Sequence, residues 1–286
     1  MFSPSMLPFL SGSIFFVVDY KLVQQVVHHP DLQAKGGRYP KALVDHSILI
    51  ATGHDWKRMR KLTSKAFSNS ILNNVHDMTI KILQEKIFPY FDQKQLTDNP
   101  YVNLVDLFGK LTLDVLGITS FSYNFGGVDS FISLETNNST EGDSQIKDSE
   151  IPVYQLFGEI KEDIVTSARC IFYKPPRLRK NTRKIDGIIS SIIEKRLRQQ
   201  HKNDNNDLLD YLCEKDTEGV PILTRKEILG NMKTFTFAGH DTATTTMSVM
   251  FFELGRRPDI IKKLRKEIDP MFDGGCNPSY YRFQIN

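Results

Sequence analysis

Only three cysteines occur in 286 residues, Cys170, Cys213 and Cys276. Their spacing shows neither the pairing of a disulfide framework nor a metal-ligand pattern, so they read as thiols of a reducing compartment. No run approaches the roughly 18 continuous apolar residues of a membrane span. The longest early one, Ile14-Phe15-Phe16-Val17-Val18, is strand-sized. The first 13 residues lack the basic stretch and apolar core of a signal peptide. Charge of one sign is missing as well: a net charge of +3 is too mild to imply nucleic acid, and no aromatic-interleaved basic patch supports such a partner. There is no internal repeat and no alternation of strand and helix patterns, which excludes doubly wound nucleotide-binding folds. With 40% hydrophobic and 25% charged residues, the chain is an ordinary globular composition in one large domain or two small ones.

What is present is helix. Residues 14–18 read as a short buried strand and 20–28 as a helix ending at Pro30. A basic amphipathic helix over 56–67, its continuation over 71–92 and a third over 102–121 follow from apolar residues at helical spacing. The polar stretch 126–150 reads as a mobile connection. Helical patterns resume over 153–169, break at Pro175-Pro176 and return over 183–201, with Ile185, Ile188, Ile189, Ile192 and Ile193 on one face. After 208–214 comes a turn at Gly219-Val220-Pro221, a long helix up to Arg256-Arg257-Pro258, and a last helix over 259–269. The expected fold class is mainly α with a little β.

Two stretches stand out from this background. In Gly53-His54-Asp55-Trp56-Lys57-Arg58-Met59-Arg60-Lys61, Trp56 and Arg60 are four residues apart and share a helix face. An indole N–H beside a guanidinium fork is a donor cluster for a carboxylate or phosphate; the same residues also describe a solvated basic helix with one anchoring Trp. In Ala238-Gly239-His240-Asp241-Thr242, followed by Thr244, Thr245 and Thr246, a long helix carries its poorest helix formers at its centre. Small Ala238 and Gly239 admit a flat ligand to the backbone, and Asp241 with Thr242 forms an acid–alcohol pair for moving protons. Against this stands a packing role for Gly239, with threonines bonding back to the preceding turn.

In this order and with these flanks, the chain resembles the cytochrome P450 family of haem-thiolate monooxygenases. The first stretch is similar to the family's W-x-x-x-R helix, and Phe237-Ala238-Gly239-His240-Asp241-Thr242 to its A-G-x-[DE]-T oxygen-activation motif. Leu113-Asp114-Val115-Leu116-Gly117, Leu208-Leu209-Asp210-Tyr211-Leu212 and the stretch from Arg257-Pro258 to Asp269 resemble its central helix and the segments flanking the oxygen helix.

The resemblance implies a cytochrome P450 fold, here incomplete, with residues 1–273 as a partial domain and 274–286 as an unrelated tail of the kind a misspliced exon leaves. It implies haem as cofactor, with Trp56 and Arg60 holding a propionate, Ala238 and Gly239 lying over the porphyrin, and Asp241 and Thr242 supplying protons for O–O cleavage. A local widening of the helix would make room for oxygen, and the helices around 151–168 would roof the substrate pocket. The implied reaction inserts one atom of dioxygen into a small apolar substrate, using NADPH electrons delivered by a reductase-type partner that docks in part on Lys57, Arg58 and Lys61. The implied location is the cytosolic face of the endoplasmic reticulum, with a membrane surface as a further partner of the full-length protein and no anchor in this chain.

The sequence departs from the family at the iron. The axial Cys of F-x-x-G-x-R-x-C-x-G has no counterpart, so no metal ligand is assigned. Glu253 to Arg256 matches E-x-x-R only by chance. A truncated, catalytically inactive product without bound haem is therefore the alternative expectation.

Overall fold

The computed structural model describes residues 16–29, 35, 44–97, 101–137, 153–169, 176–198 and 207–273. The chain divides into two compact units, Met1–Arg38 and Tyr39–Asn286. In the first, α1 (Tyr20–His28) starts where the Asp19 carboxylate accepts from the Lys21 and Leu22 N–H groups at 2.9 and 3.1 Å. Phe16, Val17 and Val18 are exposed and carry no strand; Ile14 and Phe15 lie outside the described residues. Without a partner strand to close its hydrogen bonds, an apolar run alone does not make a strand.

Among the described residues the second unit is mainly helical: α2 (Gly53–Thr63), a 3₁₀ turn (Ser64–Phe67), α3 (Asn69–Ile82), a π turn (Leu83–Ile87), α4 (Phe88–Lys94), α5 (Leu104–Phe121), α6 (Gly127–Asn137), α7 (Val153–Arg169), α8 (Pro176–Arg198), α9 (Leu208–Leu212), α10 (Arg225–Gly255) and α11 (Pro258–Asp273). Among the described residues the expected β content reduces to one isolated bridge, Lys215 to Pro221, closing the turn at Gly219. Pro176 starts α8 rather than preceding it by several residues: it sits at the first helical position, where its missing N–H leaves no bond unmade.

The stretch expected to be mobile contains α6. Its first amides, Gly127 and Val128 N–H, donate to the Asp114 carboxylate of α5 at 2.9 and 2.8 Å, and its Val128 and Phe131 are buried. The remainder, 138–150, lies outside the described residues.

Two apolar clusters hold the unit. Ile82, Ile87, Tyr90, Leu107, Leu111, Val115, Val128 and Phe131 join α3 through α6. Phe157, Ile160, Ile189, Ile193, Leu209 and Met232 join α7 through α10. The fully buried Lys110 locks α5, α6 and α7 together, donating to Asp106 at 2.8 Å beneath the rings of Phe131 and Tyr154 at 4.9 and 4.4 Å.

The spine of the fold is α5 against α10. Small residues make the close approach: a Cβ on Gly109 would touch His240 Nε2 at 3.4 Å, and one on Gly239 would meet Leu116 at 3.1 Å. Between them Thr112 and Thr244 share a hydroxyl–hydroxyl bond of 3.0 Å across the helices.

Candidate functional site

α10 enters the protein through a rigid socket. Thr224 and Glu227 close a capping box at its N-terminus. One turn on, Gly230 lies so close to the Asp45 and His46 backbone that no Cβ fits, and the fully buried Asn231 accepts from Ile48 N–H at 2.9 Å. Beyond this socket the helix carries the expected weak centre.

The helix is nevertheless continuous α from Arg225 to Gly255. The expected local widening is not there; the π turn of this unit lies instead at Leu83–Ile87. Thr242, Thr244, Thr245 and Thr246 donate to the carbonyls of Ala238, His240, Asp241 and Thr242 at 2.7, 2.7, 2.9 and 2.9 Å. Each hydroxyl bonds back to its own helix while the backbone stays in the α conformation across the motif.

On one side of this centre is an apolar groove of about 610 Å³. Three helices contribute one stripe each at near four-residue spacing, the period that stacks side chains on one face. α10 supplies Phe235, Gly239, Ala243 and Met247; α5 supplies Leu111, Val115 and Thr119; α3 supplies Ile71, Val75 and Thr79. Ala238 lines it too, so the two residues expected to face a flat ligand do border an apolar slot. Gly239 has both roles read from the sequence: it packs on Leu116 and it lines the groove.

Trp56 and Arg60 lie along the flank of the α2 seam that buries Met59, Leu62 and Thr63. Trp56 is 38% exposed and Arg60 is exposed. The chain leaving α2 puts Ala66 and Phe67 into the groove wall, and the Phe67 ring meets Phe235 of α10 at 6.2 Å. Thus the donor helix runs into the groove without its two donors lining it.

Asp241 and Thr242 are not paired with each other. Asp241 Oδ1 accepts from Lys161 Nζ of α7 at 2.6 Å, while Thr242 turns its hydroxyl to Ala238 O. Adjacent residues on a helix point about 100° apart, which places acid and alcohol on different faces. Burial pushes His240 below the usual histidine value, and its buried Nδ1 has no hydrogen-bond partner among the described residues.

Among the described residues, none of α7 lines the groove. α7 buries Leu156, Phe157 and Ile160 in the core, and Phe157 meets Phe237 and His240 at 6.4 and 6.5 Å. Lys57, Arg58 and Lys61, with His54, Lys65 and Glu214, line a separate depression of about 420 Å³, in which Arg58 is bound to Glu227 and to the Ile222 carbonyl.

A haem needs an apolar slot with small residues against its face, donors for its propionates and an axial ligand for iron. The groove and the Trp56–Arg60 flank fit the first two requirements. Cys213 does not fit the third: it caps α9 outside the groove, and burial pushes its thiol up to about 11, away from thiolate. Cys170 and Cys276 lie outside the described residues. Among the described residues no three His, Cys, Asp or Glu gather to hold a metal ion. Glu253 and Arg256 form an exposed pair at 3.6 Å at the end of α10, an ordinary helix-surface contact. Sequence reasoning missed Lys161, Glu227 and Asn231, whose partners lie 80, 169 and 183 residues away. Only Glu227 carried a local signal, the T-x-x-E capping box.

The sequence profile of the family described as Cytochrome P450 matches residues 6–284. The chain is 25% identical over 285 residues to cytochrome P450 3A2 of Rattus norvegicus, covering 93% of this chain and 53% of the relative. It is 26% identical over 253 residues to cytochrome P450 3A7 of Homo sapiens, covering 84% and 47%. Cytochrome P450 monooxygenase 124 of Postia placenta is 23% identical over 287 residues, with 95% and 52% covered. The chain therefore spans about half the length of the curated relatives it matches. The solved structure titled as a cytochrome P450 (CYP102L1) superposes with a TM-score of 0.64 at 15% identity, over 88% of this chain and 55% of that one, a likeness of fold. The family match over almost the whole length shows that the chain belongs to the cytochrome P450 family.

Proposed function

We propose that this chain forms part of the pocket of a haem-dependent monooxygenase, in which the groove beside Ala238 and Gly239 takes one face of the porphyrin. One observation carries this reading: the motif centre of α10 presents its smallest residues to an apolar groove whose wall is the continuation of the W-x-x-x-R helix.

The bound haem supplies the redox chemistry that splits dioxygen. The chain's own residues bind and orient. Trp56 Nε1–H and the Arg60 guanidinium donate to propionate oxygens, a charge-assisted pair at the edge of the site. Ala238, Gly239 and Ala243 give the ring close access to the helix, and Phe67, Val115 and Met247 keep water out. Asp241 takes protons from solvent through its carboxylate, and Thr242 Oγ1 passes them toward the groove. The same apolar lining favours a small apolar substrate, oxidised with NADPH electrons from a reductase-type partner. No described helix is long and apolar enough to cross a membrane. The endoplasmic reticulum surface is proposed as the location on the strength of the 3A relatives.

Trp56 is the chain's single tryptophan and reports on its own site. Titration with haemin is expected to quench its fluorescence with one haem per chain, and Ala238→Phe to abolish the effect. Absence of quenching in the folded wild type would sink the reading. A thiolate-type Soret shift in the reduced CO spectrum is expected only from a polypeptide that also carries the family's axial Cys.

A further inference from the structure

The depression of about 420 Å³ beside α2 has two walls and shares no lining residue with the apolar groove. One wall is α2 and the 3₁₀ turn that continues it, which supply His54, Lys57, Arg58, Lys61 and Lys65. The other is the connection from α9 to α10, which supplies Glu214 and Ile222. That second wall is built: Ile222 N–H donates to Glu214 O at 3.0 Å, and the Asp216 carboxylate accepts from Glu218 and Val220 N–H at 2.9 and 2.8 Å. Two clamps join the walls. Arg58 donates to the Ile222 carbonyl and to Glu227, and Lys65 Nζ donates to both Glu214 oxygens at 3.0 and 2.7 Å. The nearby carboxylates are thereby taken, Glu214 by Lys65, and Glu227 and Asp55 by Arg58. Lys57 and Lys61 are left over. Among the described residues neither has a carboxylate partner, although they stand four apart on one helix face, where like charges repel.

We propose that this depression binds an organic diphosphate, a phosphate ester whose two linked phosphates are held by Lys57 and Lys61. Side chains at this spacing have Cβ atoms about 5–6 Å apart, so one ammonium can meet each phosphate. Lysine serves a phosphate as a point charge and needs no planar pairing. His54, three residues before Lys57, adds a ring N–H to the same anion. Leu62 and Ile222 give the depression an apolar patch for the organic part, and its volume lies in the range of small-molecule sites. An acidic protein surface would need the lysines but not the second wall. The clamps that fix Glu214 and Ile222 across from them therefore favour a small ligand. The site requires no haem, and it stands or falls apart from the cofactor reading.

Calorimetric titration of the chain with inorganic pyrophosphate and with adenosine diphosphate tests this, at physiological salt and without divalent cations. One site per chain is expected, with the nucleotide bound more tightly than pyrophosphate. The double variant Lys57→Gln/Lys61→Gln is expected to weaken both at least tenfold. Lys262→Gln/Lys263→Gln, the same change of charge on α11, is expected to alter them less than twofold. Acetylation mapping reads the wild-type chain directly. Adenosine diphosphate is expected to slow modification of Lys57 and Lys61 at least threefold while Lys262 and Lys263 keep their free rates. Equal losses in the two double variants, several sites per chain, or no protection of Lys57 and Lys61 would reduce the row to a solvated basic face and overturn the site. Pyrophosphate bound as tightly as the nucleotide overturns the assignment to an ester. A folded chain that binds neither probe overturns the small-ligand site and leaves these lysines to an acidic protein partner.

Discussion

The Arg58 guanidinium grips the Glu227 carboxylate at 2.5 Å and donates to the Ile222 carbonyl, joining the W-x-x-x-R helix to the first turn of α10. Glu227 is also the third residue of the α10 capping box, accepting from Thr224 N–H at 2.7 Å. A single carboxylate therefore fixes both the start of α10 and the distance from it to α2. Burial alone would raise its pKa, but the hydrogen bonds from Arg58 and Thr224 outweigh this and hold it below the usual 4.5.

Arg58→Met should lower the unfolding free energy by about 2 kcal/mol in chemical denaturation. That lies under the 3–5 kcal/mol of a fully buried pair because Arg58 retains some exposure. The sign with pH follows from the lowered carboxyl value. The contribution is present above the unfolded value of 4.5 and is lost as pH falls through the lower, folded one. Wild type should thus lose more stability below pH 4.5 than Arg58→Met does; parallel acid limbs would show that the pair contributes nothing.

Gly230 and Gly239 separate structural need from site need. A methyl at Gly230 would collide with the Asp45 carbonyl oxygen, part of a backbone that Asn231 holds in place, so Gly230→Ala should destabilise by about 3 kcal/mol or more. At Gly239 the methyl meets only the tip of Leu116 at 3.1 Å, and the helix gains up to about 1 kcal/mol of propensity. Gly239→Ala should therefore melt within a few degrees of wild type while binding haemin more weakly. Equal haemin affinity would assign Gly239 to packing alone.

Cys213 is expected to react slowly with iodoacetamide in the native chain at pH 8, because burial holds the thiol near 11, and at the normal rate once denatured. Cys213→Ser should leave haemin uptake unchanged. Rapid native alkylation, or loss of uptake in the variant, would reopen its candidacy as an iron ligand.

Helix positions were legible wherever the signal is local. α1, α5 and the long α10 carry their caps and periodic apolar residues within a few positions, so sequence alone locates them. α6 was not legible, because its N-terminal amides are capped by Asp114, 13 residues upstream on another helix, and its buried residues are few. The same distinction governs the site. Ala238, Gly239 and the Trp56–Arg60 pair are local patterns, and the structure brings the first two to a groove and the helix of the second into its wall. The partners of Asp241 and Arg58 were hidden, since a lysine at 161 or a glutamate at 227 carries no mark of where its charge ends up. The family resemblance grouped Arg58 with Lys57 and Lys61 as part of a docking surface, and only the fold shows that Arg58 also binds Glu227.

His240 gives the last test, since a histidine inside the motif invites a catalytic assignment that its surroundings oppose. Burial drops its pKa below the usual 6.5, the attraction of Asp241 offsets this in part, and the Lys161 ammonium adds to it. The folded ring is therefore neutral where the unfolded one takes a proton. A base with a depressed folded value destabilises the fold as pH falls from 6.5 toward that value, because the unfolded chain binds the extra proton. Its Nδ1, buried without a partner among the described residues, adds a desolvation penalty of about 1–3 kcal/mol even at neutral pH. His240→Leu should accordingly be about 1 kcal/mol more stable than wild type at pH 7.5, packed against Phe157, with the gap widening as the pH drops to 5. A variant less stable at pH 7.5 would mean that Nδ1 has a partner in solution. The imidazole would then belong to the working site rather than to the packing between α5, α7 and α10.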